Sequence, residues 1–139
     1  MAAEVHQEGL QFFLELISNR QSVPSNFYIG LATDESLSEN ATLADITEVS
    51  GSGYARQAVP SNTTGFPTSQ ATGTNDWETT TQQVTFEASG TWTTARTAFL
   101  CTVASGTNGK LIASSPLSTP RTLQNGDKLY VTMTIQGIG

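Results

Sequence analysis

The chain has 139 residues and a formal net charge of −6, from 6 basic and 12 acidic side chains. This balance argues against a nucleic-acid partner, because affinity for a phosphate backbone rests on Lys and Arg displacing its counterions. Charged residues make up 13%, about half of the roughly 25% usual in a soluble domain; Thr and Ser fill the gap, and β-branched threonine suits a pleated surface that need not repel its neighbours.

The length fits one domain, residues 1–139, with a core that buries about two thirds of the surface the unfolded chain exposes. No basic stretch followed by an apolar core and a small-residue cleavage site opens the chain, and no apolar run is long enough to cross a bilayer. The expectation is a protein made in the cytosol with no membrane partner, so that Asn40-Ala-Thr and Asn62-Thr-Thr match the glycosylation pattern by chance.

The first organised segment, AEVHQEGLQFFLELISNR, predicts a helix of about five turns within residues 1–20. Leu10, Phe13, Leu14 and Ile17 recur at helical spacing, while Phe12 and Leu16 add apolar surface on the neighbouring flank. Apolar surface over more than one stripe implies either a deep seat across a sheet or contact with another subunit. Pro24 cannot continue the helix. His6, the sole histidine, lies inside this segment and cannot build a multi-histidine metal site.

From there the period switches to two. NFYIGLAT, YARQAV, QQVTFEA, RTAFLCTVA, KLIASS and KLYVTMTI read as strands. They predict a mainly β fold over residues 26–139, an antiparallel β-sandwich, Ig-like or jelly-roll-like, of about six to eight strands with the one N-terminal α-helix. Asn108-Gly109 in SGTNGK predicts a tight hairpin between antiparallel strands, and Asn125-Gly126 in QNGD sets up the last strand. Cys101, the single cysteine, sits among alternating apolar and small residues and reads as a buried strand position rather than a nucleophile.

In EVSGSGYARQAV the two glycines supply conformations closed to other residues, so the chain turns sharply into a strand. Tyr54, Arg56 and Ala58 then share one face, and Ala55, Gln57 and Val59 the other. The segment lacks the spacing and the following helix of a phosphate-binding loop. Arg56 is expected to pair with an acid, across the sheet or across a subunit boundary.

Two segments read as lying outside the core. Asp34 to Glu48, DESLSENATLADITE, carries five carboxylates and a helical turn near Leu43 and Ile46; without the alternating ligands and fixed glycine of a calcium loop it reads as solvated. Pro60 to Asp76, a Thr/Ser-rich loop over residues 60–76, is too long for a simple connection. It is either disordered alone or an arm ordered against a neighbour.

Little in the chain points to catalysis. Ser50 and Ser52 have no histidine at a usable spacing, and paired carboxylates occur only in the acidic loop. No enzyme activity, cofactor or metal is expected. Trp77 and Trp92 leave a carbohydrate-binding module as an alternative, since exposed indoles stack on sugars; as core or interface residues they need no ligand.

FYIGLATD, EVSGSGYARQAV, VTFEASGTWTTARTAFLCTVASGTNGKLIASSPL and LQNGDKLYVT, in that order, resemble a family of small tailed-bacteriophage virion proteins. These are often labelled tail-fibre-like and share a compact β-sandwich also seen among collar and capsid-decorating proteins. The resemblance covers most of the chain from Phe27 onward. It implies a non-enzymatic virion protein assembled in the host bacterial cytoplasm. The leading expectation is a capsid decoration (cement) protein that binds the outer capsid surface, and the alternative is a tail collar or tail-fibre component. Partners would be the major capsid protein or tail proteins of the same virion, together with further copies of this chain in a trimer or dimer. The helix and the Thr/Ser arm exceed what the compact domain requires, so Phe12, Leu16, Phe66, Trp77 and Arg56 are the expected interface residues. Deleting residues before Asn19 is then expected to leave a folded β domain that no longer attaches.

Overall fold

The computed structural model describes residues 2–138. In chain order its elements are β1 (Ala2–Val5), α1 (Gln7–Ile17), β2 (Asn26–Ala32), a 3-10 turn (Leu43–Asp45), β3 (Gln57–Pro60), β4 (Thr68–Gly73), β5 (Asp76–Thr80), β6 (Val84–Glu87), β7 (Ala95–Cys101), β8 (Leu111–Arg121), β9 (Lys128–Val131) and β10 (Thr134–Ile138). The mainly β fold with one N-terminal helix agrees with the alternating pattern. Eight strands form one curled sheet in the order β3-β2-β7-β8-β1-β10-β5-β4, and β6 pairs with β9 in a separate ribbon.

The first strand joins the two halves of that sheet. Ala2 and Ala3 run parallel to Thr134 and Ile135 of β10, whereas Glu4 and Val5 run antiparallel to Ser114 and Ala113 of β8. The helical periodicity hid this strand, and α1 is correspondingly shorter than the predicted 1–20 span. His6 at its N-cap is fully buried, with its backbone N–H on the Ile112 carbonyl, Nδ1 donating to the Ser38 carbonyl at 2.9 Å and Nε2 against the Ser114 hydroxyl at 2.7 Å.

Strand β7 is buried on both faces, so each face needs a cover. On one side Ile29, Leu31, Val59, Ala98, Leu100 and Ile112 pack with Phe12 of the helix, with Val84, Phe86 and Val131 of the ribbon, and with Trp92. On the other, Phe99, Cys101 and Leu111 pack under Ala41 and Leu43. The acidic segment 34–48 is therefore not a detached solvated loop. Glu35, Glu39 and Asp45 are exposed while its few apolar residues close the second face, and a capping box between Thr42 and Asp45 fixes the turn that carries Leu43.

The Thr/Ser stretch is likewise ordered. Most of it forms the β4–β5 hairpin at the end of the sheet, with β10 on the inner side. Alternation failed to announce these strands because Thr68–Gly73 is exposed throughout, so no buried face imposed a pattern. The turns divide in the same way. Gly126 takes the positive φ (88°) expected in QNGD, and Asp127 N–H closes that turn on the Gln124 carbonyl at 2.9 Å. Strands β7 and β8 pair antiparallel as predicted, yet the link between them is wider than a two-residue turn, and its positive φ falls at Gly106 (77°) rather than at Asn108-Gly109.

Candidate assembly surface

Helix α1 meets the sheet through Gly9, Phe12 and Leu16. A side chain at Gly9 would overlap the Ile112 carbonyl, so this glycine lets the helix backbone rest directly on β8. One turn on, Phe12 is 3% exposed and meets Phe27 edge-on, and Phe27 meets Phe66 edge-on in turn, at 5.9 Å between ring centres. Aromatic edge contacts of this kind add to the area they bury.

The neighbouring flank of α1 is the unusual one. Leu10, Phe13, Leu14 and Ile17 stand at 55, 37, 66 and 84% exposure, and their i, i+3, i+4, i+7 spacing is that of a stripe built to be covered. Sequence periodicity leaves open which flank is seated and names Phe12 and Leu16 for the interface; in the structure Phe12 is buried in the core and Leu16 packs against it, while the stripe is left in water. Beside the stripe lies an apolar groove of about 270 Å³ bounded by Phe13, Leu16, Val23, Phe27, Phe66 and Thr79. Val23, 59% exposed, extends the same surface past the helix end.

Of the five expected interface residues, Leu16 and Phe66 line this groove, and Phe12 lies beneath it in the core. Trp77 stands on β5 at 54% exposure, two residues before Thr79 and hence on the same sheet face. Its indole N–H donates to the Ser69 hydroxyl on β4 at 2.7 Å. Leu10, Leu14, Ile17 and Val23 are the apolar residues that the interface expectation passed over, although the signal was present in the helical spacing itself.

Arg56 is elsewhere and fully engaged. Its Nε and Nη2 grip the two oxygens of Glu48 at 2.9 and 3.0 Å, while Nη1 and Nη2 also donate to the carbonyls of Val103 and Gly106, each at 3.0 Å. The guanidinium lies over the Phe99 ring, and the side chain is only 4% exposed. Burial works against its charge, but the Glu48 hydrogen bond and charge outweigh that, and the guanidinium pKa is raised. Of the two pairings expected for Arg56, the one within the chain is formed, and no donor nitrogen is left for a partner.

Tyr54 completes this cluster. Its hydroxyl donates to Glu48 at 2.6 Å and accepts the Leu31 N–H at 2.9 Å, and burial, then the Glu48 carboxylate, push its pKa far up. The ring stacks on Phe86 and meets Trp92 edge-on. Trp92 is 2% exposed and donates to the Ser52 carbonyl at 2.7 Å; any side chain on Gly51 (φ 152°) would strike it. SGSG is thus a turn shaped around a buried indole, and Trp92 offers no platform to a sugar. Burial also raises the pKa of the Cys101 thiol, consistent with an unreactive core residue. Among the described residues no group of three or more His, Cys, Asp or Glu is placed to hold a metal ion.

Residues 14–137 match a family model described as the podophage GP4 fiber I protein gp80. No curated protein matches the chain.

Proposed function

Taking as premise that this chain belongs to the podophage GP4 fiber I protein gp80 family, and so is a structural protein of a small tailed-phage virion, we propose that it is a non-enzymatic fibre subunit that attaches to another virion protein through the outer stripe of α1. The observation that carries the mode of attachment is the exposure of Leu10, Phe13, Leu14 and Ile17 on a helix whose neighbouring flank is already seated. Apolar side chains aligned beside an apolar groove are removed from water only when a second surface covers them, and each such burial stabilises by about 1.5–3 kcal/mol. The occupant in this reading is an apolar segment of a neighbouring tail protein. The groove between Phe13, Val23, Phe27 and Phe66 gives that segment a recess to enter.

The family description favours the fibre over the capsid-decoration role that leads on the sequence alone. Imaging of intact particles tests this directly. A copy number set by the tail's symmetry, at a tail position, is the expected result; density spread over the shell in proportion to the capsid subunits would move the protein to decoration. In parallel, Leu14→Glu with Ile17→Glu is expected to yield a folded protein missing from purified particles. Full incorporation of that variant would remove α1 as the attachment surface.

A further inference from the structure

We infer that the free edge of β4 is a strand-pairing surface for a second copy of this chain, joining two sheets into one across a twofold axis beside Gln70. The two ends of the large sheet differ in kind. At one end β3 has four residues and finishes in Pro60, which has no N–H to offer. At the other, β4 has six residues, all exposed and none of them charged or proline. Its one irregularity, the bulge between Ala71 and Gly73, lies at the turn and leaves Thr68 to Ala71 in straight register with Thr80 to Trp77. An edge so lacking in protection is a template for another strand.

Three observations select a second copy as that strand. The chain carries −6 overall, so a contact between copies is favoured where neither brings an acid, and β4 itself carries no charge. The blunt β3 edge prevents growth at the far end, so β4-to-β4 pairing closes as a dimer instead of propagating as a filament. The third is Trp77. It is 54% exposed, yet its indole reaches over the edge strand to the Ser69 hydroxyl, which places a large apolar ring above the edge, beside the position of a neighbouring β4.

Register follows from symmetry. Directly opposed residues in an antiparallel pair point to the same face, and a twofold perpendicular to the sheet keeps each face on its own side. Opposed residue numbers must therefore sum to an even value. Of the registers this allows, the one centred on Gln70 pairs Thr68 to Thr72 with themselves and leaves out Pro67, which has no N–H, and Gly73 beyond the bulge; Gln70 then meets its own counterpart, and Ser69 meets Ala71. The two Trp77 rings then flank the junction on the face that carries the groove, over the small side chains of Ser69 and Ala71. Gln70 lies on the other face, where its amide already donates to Glu78 at 2.8 Å.

Sedimentation of the full chain tests the pairing. A concentration-dependent dimer is expected, weakened about tenfold or more by Gln70→Lys, which sets two like charges across the axis, and unchanged by Leu14→Glu on the helix. Gln70→Cys supplies a check that needs no loss of function. Directly opposed Cα atoms about 4.5–5.5 Å apart are within disulfide range, and the native Cys101 is buried, so mild oxidation is expected to give a covalent dimer through position 70. A wild-type chain that stays monomeric at every concentration would overturn the inference. So would a dimer that survives Gln70→Lys, fails to cross-link through position 70, or is broken by Leu14→Glu.

Discussion

Two regions of this molecule carry the residue types usually associated with binding, and they have opposite standing. Around Arg56 a cation, a carboxylate, a phenol and several aromatic rings converge, and every polar group among them is paired within the chain. Along α1 four large apolar side chains lie side by side, and much of their surface remains in water. The first region resembles a site and is an internal clamp. The second has little chemistry and is unfinished. A cluster of polar groups points to a ligand only when some of its hydrogen-bonding capacity is left over, whereas an aligned apolar stripe is left over by definition.

The contrast can be broken most forcefully at the base of α1. Because β1 joins the two halves of the sheet, and His6, Gly9 and Phe12 are buried against it, removing residues before Asn19 is expected to abolish cooperative unfolding and expose the core. This is opposite to the independent β domain that the sequence suggests. Circular dichroism and size exclusion of the truncated chain decide it; a folded, monodisperse product would make the whole helix dispensable.

Arg56→Ala comes next. It leaves Glu48 partly buried without its cation and removes two carbonyl contacts, a change expected to cost about 3–5 kcal/mol in denaturant unfolding. A loss below about 1 kcal/mol would make the cluster an ordinary surface pair.

A smaller effect is expected with alkali. Burial raises the pKa of both Tyr54 and Cys101 above their ordinary values of 10.0 and 9.0, so above those values the unfolded chain releases protons that the native state retains. The number bound is then lower in the unfolded state, and stability falls as pH rises. Unfolding free energy is expected to hold steady through neutral pH and to decline from about pH 9 upward, with a shallower decline in Tyr54→Phe. A flat profile to pH 11, well past those ordinary values, would contradict the burial of these groups.

The smallest change in stability belongs to the outer stripe. Leu14→Glu is expected to alter unfolding by no more than about 0.5 kcal/mol, because the side chain is already in water, while abolishing attachment to the particle. A loss of several kcal/mol instead would mean that Leu14 is covered in the isolated chain.

Much of this was legible from residue order, and the failures share a cause. Strands β2, β6 and β7 were visible because one or both of their faces are buried, and Gly51 and Gly53 announced a turn because their backbone angles admit little else. The existence of α1 and its excess of apolar surface were equally plain. Its orientation was not, because Leu10, Phe13, Leu14 and Ile17 fit the helical period as well as Gly9, Phe12 and Leu16 do. The choice was made by Gly9, through a contact with Ile112 that is remote in sequence. The β4–β5 hairpin escaped notice because exposed Thr and Ser obey no burial pattern, and β1 because four residues beginning Ala-Ala suit a helix equally well. In the candidate surface, Leu16 and Phe66 are expected from the sequence and line the groove, while helical spacing alone does not tell which flank of α1 is left in water.

The strand that joins the two halves of the sheet also sets a schedule. Its residues Ala2 and Ala3 have their partners at Thr134 and Ile135, so this half of β1 waits for a strand synthesised far later before its backbone is paired. Until then the unclosed halves of the sheet stay open to other chains, a hazard that rises with the distance in sequence between partners. For this fold the synthesis of β10, more than that of the helix or of β7, limits when the large sheet can close.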